Sequence, residues 1–136
     1  MSKILGIDYG ARRVGVALSD DGHTFAFPKI VLENNDALMQ TLADLIVRED
    51  VLSCVVGEGD NPAGGANTIE RRIMIFAEAL KVRTGLPVIA MTEAYSSAEA
   101  RRALEERVAT RKDKTVAVDA AAAAIILQSY LDTRKG

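Results

Sequence analysis

The amino-acid sequence predicts an α/β fold in which a mixed five-stranded sheet carries helices on both faces. Three strand-like segments that can form a meander open the chain, and strand-like and helix-like segments alternate after them. The predicted order is βββαβαβαα. At 136 residues the chain has the length of one domain and enough apolar sequence to bury a core, so we expect residues 1–136 to form a single domain.

The first three predicted strands comprise residues 3–9, 14–19 and 24–32. The first is largely apolar up to Asp8, and the second alternates in the way that is typical of a strand with one buried face. A short turn joins them, which indicates a hairpin. Pro28 has no N–H group to donate, so the third strand should lie at an edge of the sheet.

A helix should follow the meander. Asn35 and Asp36 can cap its N-terminus, because their side-chain oxygens accept hydrogen bonds from the first free N–H groups. Its apolar residues recur at the spacing of one helix face. These residues are Leu38, Leu42, Leu45 and Ile46.

The middle of the chain then alternates strand and helix. Residues 51–56 are predicted to form a central strand, and residues 57–65 a glycine-rich loop. A second helix is expected over 67–83, with Gly85 as its stop. Residues 86–91 should form the fifth strand.

Two helices should complete the chain. Ser96 or Ser97 can cap a polar helix that ends near residue 107. Thr115 can cap an alanine-rich helix that ends near residue 132.

The composition indicates where the protein is located, the state of its cysteine and what nucleic-acid contact would require. No segment reaches the ~20 apolar residues of a membrane span, and Asp8 interrupts the first apolar stretch too early for a signal peptide, so we expect a cytoplasmic protein. The only cysteine, Cys54, lies in an apolar run and should be a buried small side chain. The formal net charge is −2, so contact with nucleic acid would need a local basic patch.

Four acidic residues are candidate catalytic residues and metal ligands. Asp8 ends the first strand, and Glu58 reaches the same edge of the sheet if the fourth strand runs parallel to the first. Glu93 follows the fifth strand. Asp119 shares the core-facing side of the last helix with Ala123, Ile126 and Tyr130. For each acid an ordinary role in a turn, a loop or a helix start stays open.

The donor set indicates the metal. Carboxylates without a cysteine or histidine cluster favour Mg²⁺ or Mn²⁺ over zinc. The only histidine, His23, is expected to be a solvated turn residue, so a histidine base is not predicted. Two cations about 4 Å apart can promote in-line displacement at a phosphodiester. The acids therefore favour a metal-dependent nuclease.

Basic residues near the predicted site are candidate phosphate contacts. Arg12 and Arg13 lie in the first turn, and Arg111, Lys112 and Lys114 precede the last helix. Either group can flank the acids and hold a nucleic-acid backbone, although a solvated helix face is the alternative for each. Aromatic residues make up only 4% of the chain, so a base-stacking platform for single strands is poorly supported.

Several motifs together resemble one family. They are Ile4-Leu5-Gly6-Ile7-Asp8-Tyr9-Gly10, Arg13-Val14-Gly15-Val16-Ala17, Val55-Val56-Gly57, Phe76-Ala77-Glu78, Thr92-Glu93, Ser96-Ser97-Ala98-Glu99-Ala100, Val118-Asp119-Ala120-Ala121-Ala122 and Ile126-Leu127-Gln128-Ser129-Tyr130. Over nearly its whole length the chain resembles the YqgF/RuvX family of pre-16S rRNA nucleases, which are similar to Holliday-junction resolvases. The resemblance implies an RNase H-like fold and a role in maturing ribosomal RNA, with Asp8, Glu93 and Asp119 at the positions of the family's acidic residues.

The chain departs from the family pattern at two places. The family usually has Leu-Pro where this chain has Glu58-Gly59, and Asp-Glu-Arg where it has Thr92-Glu93-Ala94. Glu58 falls where related resolvases place a catalytic acid. Which glutamate completes the metal site therefore stays open, as does a loss of activity.

Several functions remain as hypotheses. The first is a metal-dependent nuclease acting on structured RNA, above all the 16S rRNA precursor. The alternatives on the same fold are a resolvase for branched DNA and a noncatalytic RNA-binding assembly factor. A relationship to actin-like ATPases and sugar kinases would need two such lobes, and 136 residues provide one. We expect no membrane contact, and both a monomer and a homodimer stay open.

Overall fold

The structure is a computed structural model that describes residues 2–57, 66–91, 102–103, 106–108 and 118–134, without the side chains of 66–70, 118, 119 and 134. The strands are β1 (Lys3–Tyr9), β2 (Arg13–Ser19), β3 (Ala26–Glu33), β4 (Val51–Gly57) and β5 (Val88–Met91). The helices are α1 (Leu38–Arg48), α2 (Ala66–Thr84) and α3 (Val118–Arg134).

The strands form one mixed sheet in the order β3-β2-β1-β4-β5. β1 and β3 each pair antiparallel with β2, whereas β1 and β5 each pair parallel with β4. The predicted meander and mixed sheet are therefore confirmed. β3 lies at an edge, as Pro28 predicts, and its register with β2 shifts next to that proline, which pairs with Ala17.

β3 begins two residues later than predicted because Asp20 forms hydrogen bonds with the backbone just before the strand. The Asp20 carboxylate accepts hydrogen bonds from the N–H groups of Thr24 at 2.7 Å and Phe25 at 3.0 Å. These N–H groups therefore shape the β2–β3 turn and do not join the strand ladder.

The predicted cap of α1 is wrong in position. The N-cap residue is Ala37, which makes no side-chain capping bond. The Asn35 side chain instead accepts the N–H of Ala37 at 2.9 Å and so shapes the turn before the helix. The predicted apolar face is confirmed, since its four residues are buried.

The ends of α2 and β5 follow local backbone chemistry. α2 ends where Gly85 adopts a positive φ of 74° and donates its N–H to Lys81 at 2.8 Å, which confirms the predicted stop. β5 begins at Val88, not at residue 86. Pro87 has no N–H to offer, although its carbonyl oxygen accepts the N–H of Cys54 at 3.0 Å.

The last two predicted helices are described in part. Residues 102–103 and 106–107 are helical, whereas Ser96, Ser97 and Thr115 lie outside the described residues. The Arg107 guanidinium lies 3.0 Å from the Asp132 carboxylate of α3. This ion pair joins the preceding segment to α3.

Helices cover both faces of the sheet. α1 and α2 pack on one face, where Leu5, Ile7 and Cys54 are completely buried. α3 packs on the other face over Ile4 and Val55. The predicted helix placement and the predicted burial of Cys54 are thus confirmed. Among the helices of the described part of the chain, none combines the length and apolar character needed to cross a bilayer.

Candidate active site

The carboxyl ends of the three parallel strands meet at one edge of the sheet. Asp8 of β1 pairs in register with Gly57 of β4, which in turn pairs with Met91 of β5. The predicted parallel relation of β1 and β4 is therefore confirmed. Glu58 directly follows Gly57, and Glu93 comes two residues after Met91, but both glutamates lie outside the described residues.

Strand alternation directs Asp8 and Tyr9 to opposite faces of the sheet. Tyr9 stacks on Phe76 of α2 with ring centroids 4.4 Å apart. Asp8 shares the α3 face with Gly6 and Ile4, and it is half-buried. The candidate site is thus on the side of the sheet that α3 covers.

Two glycines let α3 approach the sheet closely. A Cβ atom placed on Gly6 would lie 2.6 Å from Leu127 Cβ and 3.1 Å from the carbonyl oxygen of Ala123. A Cβ atom placed on Gly57 would lie 3.2 Å from Cγ2 of Ile126. Because real Cβ atoms essentially never lie within 3.0 Å of another heavy atom, the spacing between α3 and the sheet requires glycine at position 6, whereas a Cβ atom at position 57 would require Ile126 to shift by a few tenths of an ångström.

α3 runs antiparallel to β1. Its Ala123 crosses β1 at Gly6, whereas the later residue Gln128 accepts the N–H of Ala26 at 3.0 Å, level with the start of β1. Asp119 lies one turn before Ala123, about 6 Å along the helix. Asp8 lies two residues beyond Gly6, about 7 Å along the strand.

The backbones of Asp8 and Asp119 therefore lie at the same end of the sheet, on the same face. The side chain of Asp119 is outside the described part of the structure. The face of α3 on which Asp119 was predicted to lie does face the core, because Ala123 and Ile126 are completely buried and Tyr130 is half-buried.

The turn between β1 and β2 and the first residue of β2 bring two arginines to this end of the sheet. Arg12 and Arg13 are both exposed. Asn34, just after β3, makes two hydrogen bonds to this turn. Its side-chain amide donates to the Gly10 carbonyl at 2.8 Å, and its backbone N–H donates to the Arg12 carbonyl at 2.8 Å. A Cβ atom on Gly10 would lie only 2.5 Å from the Arg13 carbonyl oxygen, so the turn requires glycine there.

The role of Asn34 was not predicted from the sequence. The available signal was an asparagine directly after an edge strand that ends beside the arginine turn. Asparagine side chains commonly bond to the backbone of nearby turns, so the position indicated a structural tether.

The described residues contain only part of the predicted site. Within them, no group of three or more acidic, histidine or cysteine side chains is arranged to hold a metal ion. The predicted phosphate contacts Arg111, Lys112 and Lys114 lie outside the described ranges, as do Glu58 and Glu93.

His23 belongs to the opposite end of the sheet. It is half-buried, not solvated as predicted, with a positive φ of 56°. Its Nε2 lies 3.0 Å from the carbonyl oxygen of Ser2, just before β1 begins. Since Asp8 lies near the other end of the same strand, most of the length of β1 separates the imidazole from the candidate site.

Comparison with known families agrees with this architecture. The family model described as RuvX, Holliday junction resolvase, matches residues 2–133. The chain belongs to the RuvX family. Two of its relatives carry the name "Putative pre-16S rRNA nuclease". The relative from Oleidesulfovibrio alaskensis is 36% identical over 96% of this chain and 92% of its own length. The one from Nitratidesulfovibrio vulgaris strain DP4 is 39% identical over 95% of this chain and 92% of its own length.

Solved structures show what fold this RuvX member has. It is similar to T. thermophilus RuvC in complex with a Holliday junction substrate, with a TM-score of 0.67 and 16% identity over 100% of this chain and 97% of that chain. It is also similar to the fowlpox virus resolvase in complex with Holliday junction DNA, with a TM-score of 0.56 and 10% identity over 98% and 99% of the two chains. At such low identity the likeness establishes the fold, and the expected RNase H-like fold is confirmed.

Proposed function

We propose that this RuvX-family protein is a nuclease that hydrolyses phosphodiester bonds in structured nucleic acid, with the precursor of 16S rRNA as its substrate. The names of its relatives support the reaction and the substrate class. The structural observation that carries the proposal is the register of Asp8 with Gly57 and Met91. This register places Gly57 and Met91, the last described residues before Glu58 and Glu93, beside Asp8 at one edge of the sheet.

Asp8 and Asp119 are the proposed core of the catalytic site. Asp8 is a half-buried carboxylate at the border of the core, where a nearby cation would offset the cost of its charge. Glu58 and Glu93 are the two candidates for completing the set. Carboxylate oxygens fit Mg²⁺ or Mn²⁺, and such ions, when bound, would activate water and offset charge on the leaving oxygen.

The protein's own basic groups are proposed to hold the substrate. Arg12 and Arg13 lie exposed at the same end of the sheet as Asp8 and can contact phosphates beside the reacting bond. Arg111, Lys112 and Lys114 are proposed to extend this contact. Such a local patch would compensate for the acidic charge of the whole molecule.

The proposal is tested with Asp8→Asn and Asp119→Asn, which remove charge while keeping side-chain size. Each should lower Mg²⁺-dependent cleavage of a 16S rRNA precursor by about 100-fold or more, a typical loss for an essential proton-transfer or charge-stabilising group. Binding of the RNA should remain. Asp21→Asn is the matched control, because Asp21 is exposed in the β2–β3 turn at the far end of the sheet. Full cleavage by the double variant would rule out this mechanism.

The two glutamates are compared in the same assay. Glu58→Gln and Glu93→Gln should differ in cleavage rate. The variant that replaces the glutamate of the metal site should lose cleavage to the same extent as Asp8→Asn. Equal, near-native activity of both variants would contradict a role for either one.

A second candidate is resolution of branched DNA, which the description of the matching family favours. It predicts that the wild-type protein cuts a four-way DNA junction faster than the RNA precursor, with the same dependence on Asp8. A third is a noncatalytic assembly factor, favoured by the net charge of −2. It predicts RNA binding without cleavage by the wild-type protein at any Mg²⁺ or Mn²⁺ concentration.

The organisation and location of the protein are further proposals. We infer a single domain over residues 1–136, which the family match over residues 2–133 supports. A cytoplasmic location is supported by the names of the relatives as pre-16S rRNA nucleases.

A further inference from the structure

Gln128 of α3 is completely buried, and its side-chain amide is hydrogen-bonded at both ends. Its side-chain oxygen accepts the N–H of Ala26 at 3.0 Å. Its side-chain nitrogen donates to the carbonyl oxygen of Thr24 at 2.9 Å and to the carboxylate of Asp132 at 3.0 Å. A buried amide costs free energy unless its donors and acceptor are paired, as they are here. Two of the three bonds join α3 to the backbone around the start of β3.

The hydrogen bonds of Gln128 fix the direction in which its amide points. If the amide were turned over, its oxygen would face the Thr24 carbonyl oxygen and the Asp132 carboxylate, which are both acceptors. The Arg107 guanidinium lies 3.0 Å from the same oxygen of Asp132 and holds that carboxylate in place. The link between α3 and the sheet through Gln128 is therefore directional.

The rest of the contact between α3 and the sheet is mainly apolar, and its first turns bury small side chains. These are Ala120, Ala122, Ala123 and Ala124. Apolar attraction does not depend on direction, so these contacts determine how closely α3 packs more than its position along its own axis. Gln128 supplies the missing constraint, because its bonds to the sheet form at one axial position.

The bonds of Gln128 lie level with Ile4 at the beginning of β1. Ala26, which donates to Gln128, pairs in register with Ser19 of β2. The Ser19 hydroxyl in turn accepts the N–H of Ile4 at 2.8 Å. One row of contacts therefore crosses β3, β2 and β1 at the level at which α3 is held.

The distances from this level to the two proposed catalytic acids match. Asp8 is four residues after Ile4, which is about 13 Å along a strand. Asp119 is nine residues before Gln128, which is about 14 Å along a helix. Because α3 runs antiparallel to β1, these nearly equal lengths bring the backbone of Asp119 level with that of Asp8.

We propose that Gln128 is a positioning residue for the candidate active site, which holds α3 at the axial position that brings Asp119 level with Asp8. The inference rests on the proposed function, in which the two acids share a metal ion. A slip of α3 by one residue would move Asp119 by about 1.5 Å, whereas the ligands of Mg²⁺ lie within a narrow range around about 2.1 Å from the ion. Loss of the Gln128 bonds should therefore lower the metal affinity of the folded protein as well as its stability.

The first test is Gln128→Leu, which keeps the side-chain size and removes all three hydrogen bonds. Calorimetric titration of the full chain with Mn²⁺, without nucleic acid, should show an affinity about tenfold or more below that of the wild type, a usual loss when groups that orient metal ligands are removed. Binding of the RNA precursor should change by less than about twofold, since the turn at Arg12 is untouched.

Leu42→Ala is the matched control for Gln128→Leu. Leu42 is completely buried on α1, which packs on the other face of the sheet. The substitution should lower the stability by leaving a cavity, but the Mn²⁺ affinity of the folded protein should remain native. Circular dichroism checks that both variants are folded at the temperature of the titration. A purely structural role of Gln128 would give the same result for the two variants.

Gln128→Glu gives a second test, because protonation switches its hydrogen bonding. A protonated carboxyl can accept the N–H of Ala26 and donate to the Thr24 carbonyl oxygen, as the amide does. An ionised carboxylate has no donor and faces the Thr24 carbonyl oxygen and the Asp132 carboxylate, with Arg107 beyond. The other ionisable groups close by are those of the neighbouring turn, Asp20 and His23.

The Mn²⁺ affinity of Gln128→Glu should therefore depend on pH relative to the wild type at the same pH. It should be near native at about pH 5 and about tenfold or more weaker at about pH 8. A deficit that does not grow with pH would overturn the positioning role. Equal affinities of Gln128→Leu and the wild type would overturn it too, without touching the proposed function. A wild-type protein that neither binds Mn²⁺ nor cleaves RNA would contradict the proposed function, and this inference with it.

Discussion

Gly6 of β1 lies directly against Leu127 of α3, with only 2.6 Å between Leu127 Cβ and the position that a Cβ atom on Gly6 would take. This contact fixes how closely α3 approaches the sheet. Asp119 is two turns before Leu127 on the same helix, and Asp8 is two residues after Gly6 on the same strand. A change at Gly6 is therefore expected to affect both the stability of the fold and the spacing of the two proposed catalytic acids.

Gly6→Ala should destabilise the protein by about 1–3 kcal/mol, the usual cost of overpacking. The neighbouring atoms are Leu127 Cβ and the Ala123 carbonyl oxygen, which are fixed to the helix and cannot rotate away. Urea denaturation followed by circular dichroism measures the change. Under native conditions, cleavage by the folded variant should also fall, because α3 must shift away from β1.

Gly22→Ala is the control for this prediction. A Cβ atom on Gly22 would meet its nearest neighbours at 3.5 Å and 3.7 Å, which is ordinary contact. Its free energy of unfolding should stay within about 0.5 kcal/mol of the wild-type value. Equal stability of the two variants would mean that α3 does not pack on Gly6 as described.

Asn34→Ala should weaken nucleic-acid binding without changing the cleavage step. The substitution removes the 2.8 Å bond from the side chain to the Gly10 carbonyl and so frees the turn that carries Arg12. The loss of one hydrogen bond corresponds to a rise in Kd of about three- to tenfold. Fluorescence anisotropy with a labelled RNA precursor measures Kd, and single-turnover kinetics measures the cleavage step.

Asn35→Ala is the matched control for Asn34→Ala. Asn35 also bonds through its side chain to nearby backbone, but its partner is Ala37 at the start of α1. Its Kd should remain close to the wild-type value. If both asparagine variants lost binding equally, the effect would reflect general loosening after β3 and not the turn at Arg12.

The elements themselves could be predicted because their signals are local and periodic. The apolar face of α1, the stop at Gly85 and the edge position of β3 each follow from residue type and spacing alone. The start of β3 and the cap of α1 could not be predicted in the same way. They depend on which backbone N–H groups the side chains of Asp20 and Asn35 capture, and several choices fit the sequence equally well.

The candidate site could be predicted only as far as strand order allows. A parallel arrangement of β1 and β4 was enough to expect Asp8 and the residue after Gly57 at one edge of the sheet. The observed register confirms that β1 and β4 are parallel. The choice between Glu58 and Glu93 could not be predicted, because periodicity indicates where a strand ends but not where the side chains after it lie. Asn34 was missed because its partner, the Gly10 carbonyl, is a backbone group 24 residues earlier.

Asp20 should make the stability of the protein depend on pH in the acid range. Burial raises the pKa of the Asp20 carboxyl. Hydrogen bonds from the backbone N–H groups of Phe25 and Thr24, together with the nearby His23, outweigh this effect, so the pKa lies below its ordinary value. A carboxylate with a lowered pKa in the folded state stabilises the protein at neutral pH. This stabilisation is lost as the pH falls below about 4, where the unfolded chain takes up the proton first.

Asp20→Asn is the variant that tests this effect, since it keeps an oxygen for the turn but cannot ionise. Its deficit in unfolding free energy relative to the wild type should be largest at neutral pH and shrink as the pH falls through the lowered pKa. Urea denaturation at several pH values measures the deficit. Asp21→Asn, which removes the neighbouring exposed charge, should alter the pH dependence less. A deficit for Asp20→Asn that grows on acidification would contradict the assigned hydrogen bonds.

Cys54 should be inert to thiol reagents while the protein is folded. It is completely buried in β4 between β1 and β5, and burial raises the pKa of its thiol to about 12. At pH 8 the thiolate fraction is then about 10³-fold smaller than for a free cysteine, so labelling should require opening of the sheet. Mass spectrometry of the native protein with iodoacetamide should show no adduct on the timescale that labels the urea-unfolded chain.

Val47→Cys supplies the positive control within the same molecule. Val47 is 82% exposed at the end of α1, so a cysteine there should react at once in the native state. The variant should therefore take one adduct when folded and two when unfolded. Two rapid adducts in the folded variant would mean that solvent reaches Cys54, and β4 would then not be a central strand covered by α1 and α2. The register between Asp8 and Gly57, which depends on β4 lying beside β1, would lose its support as well.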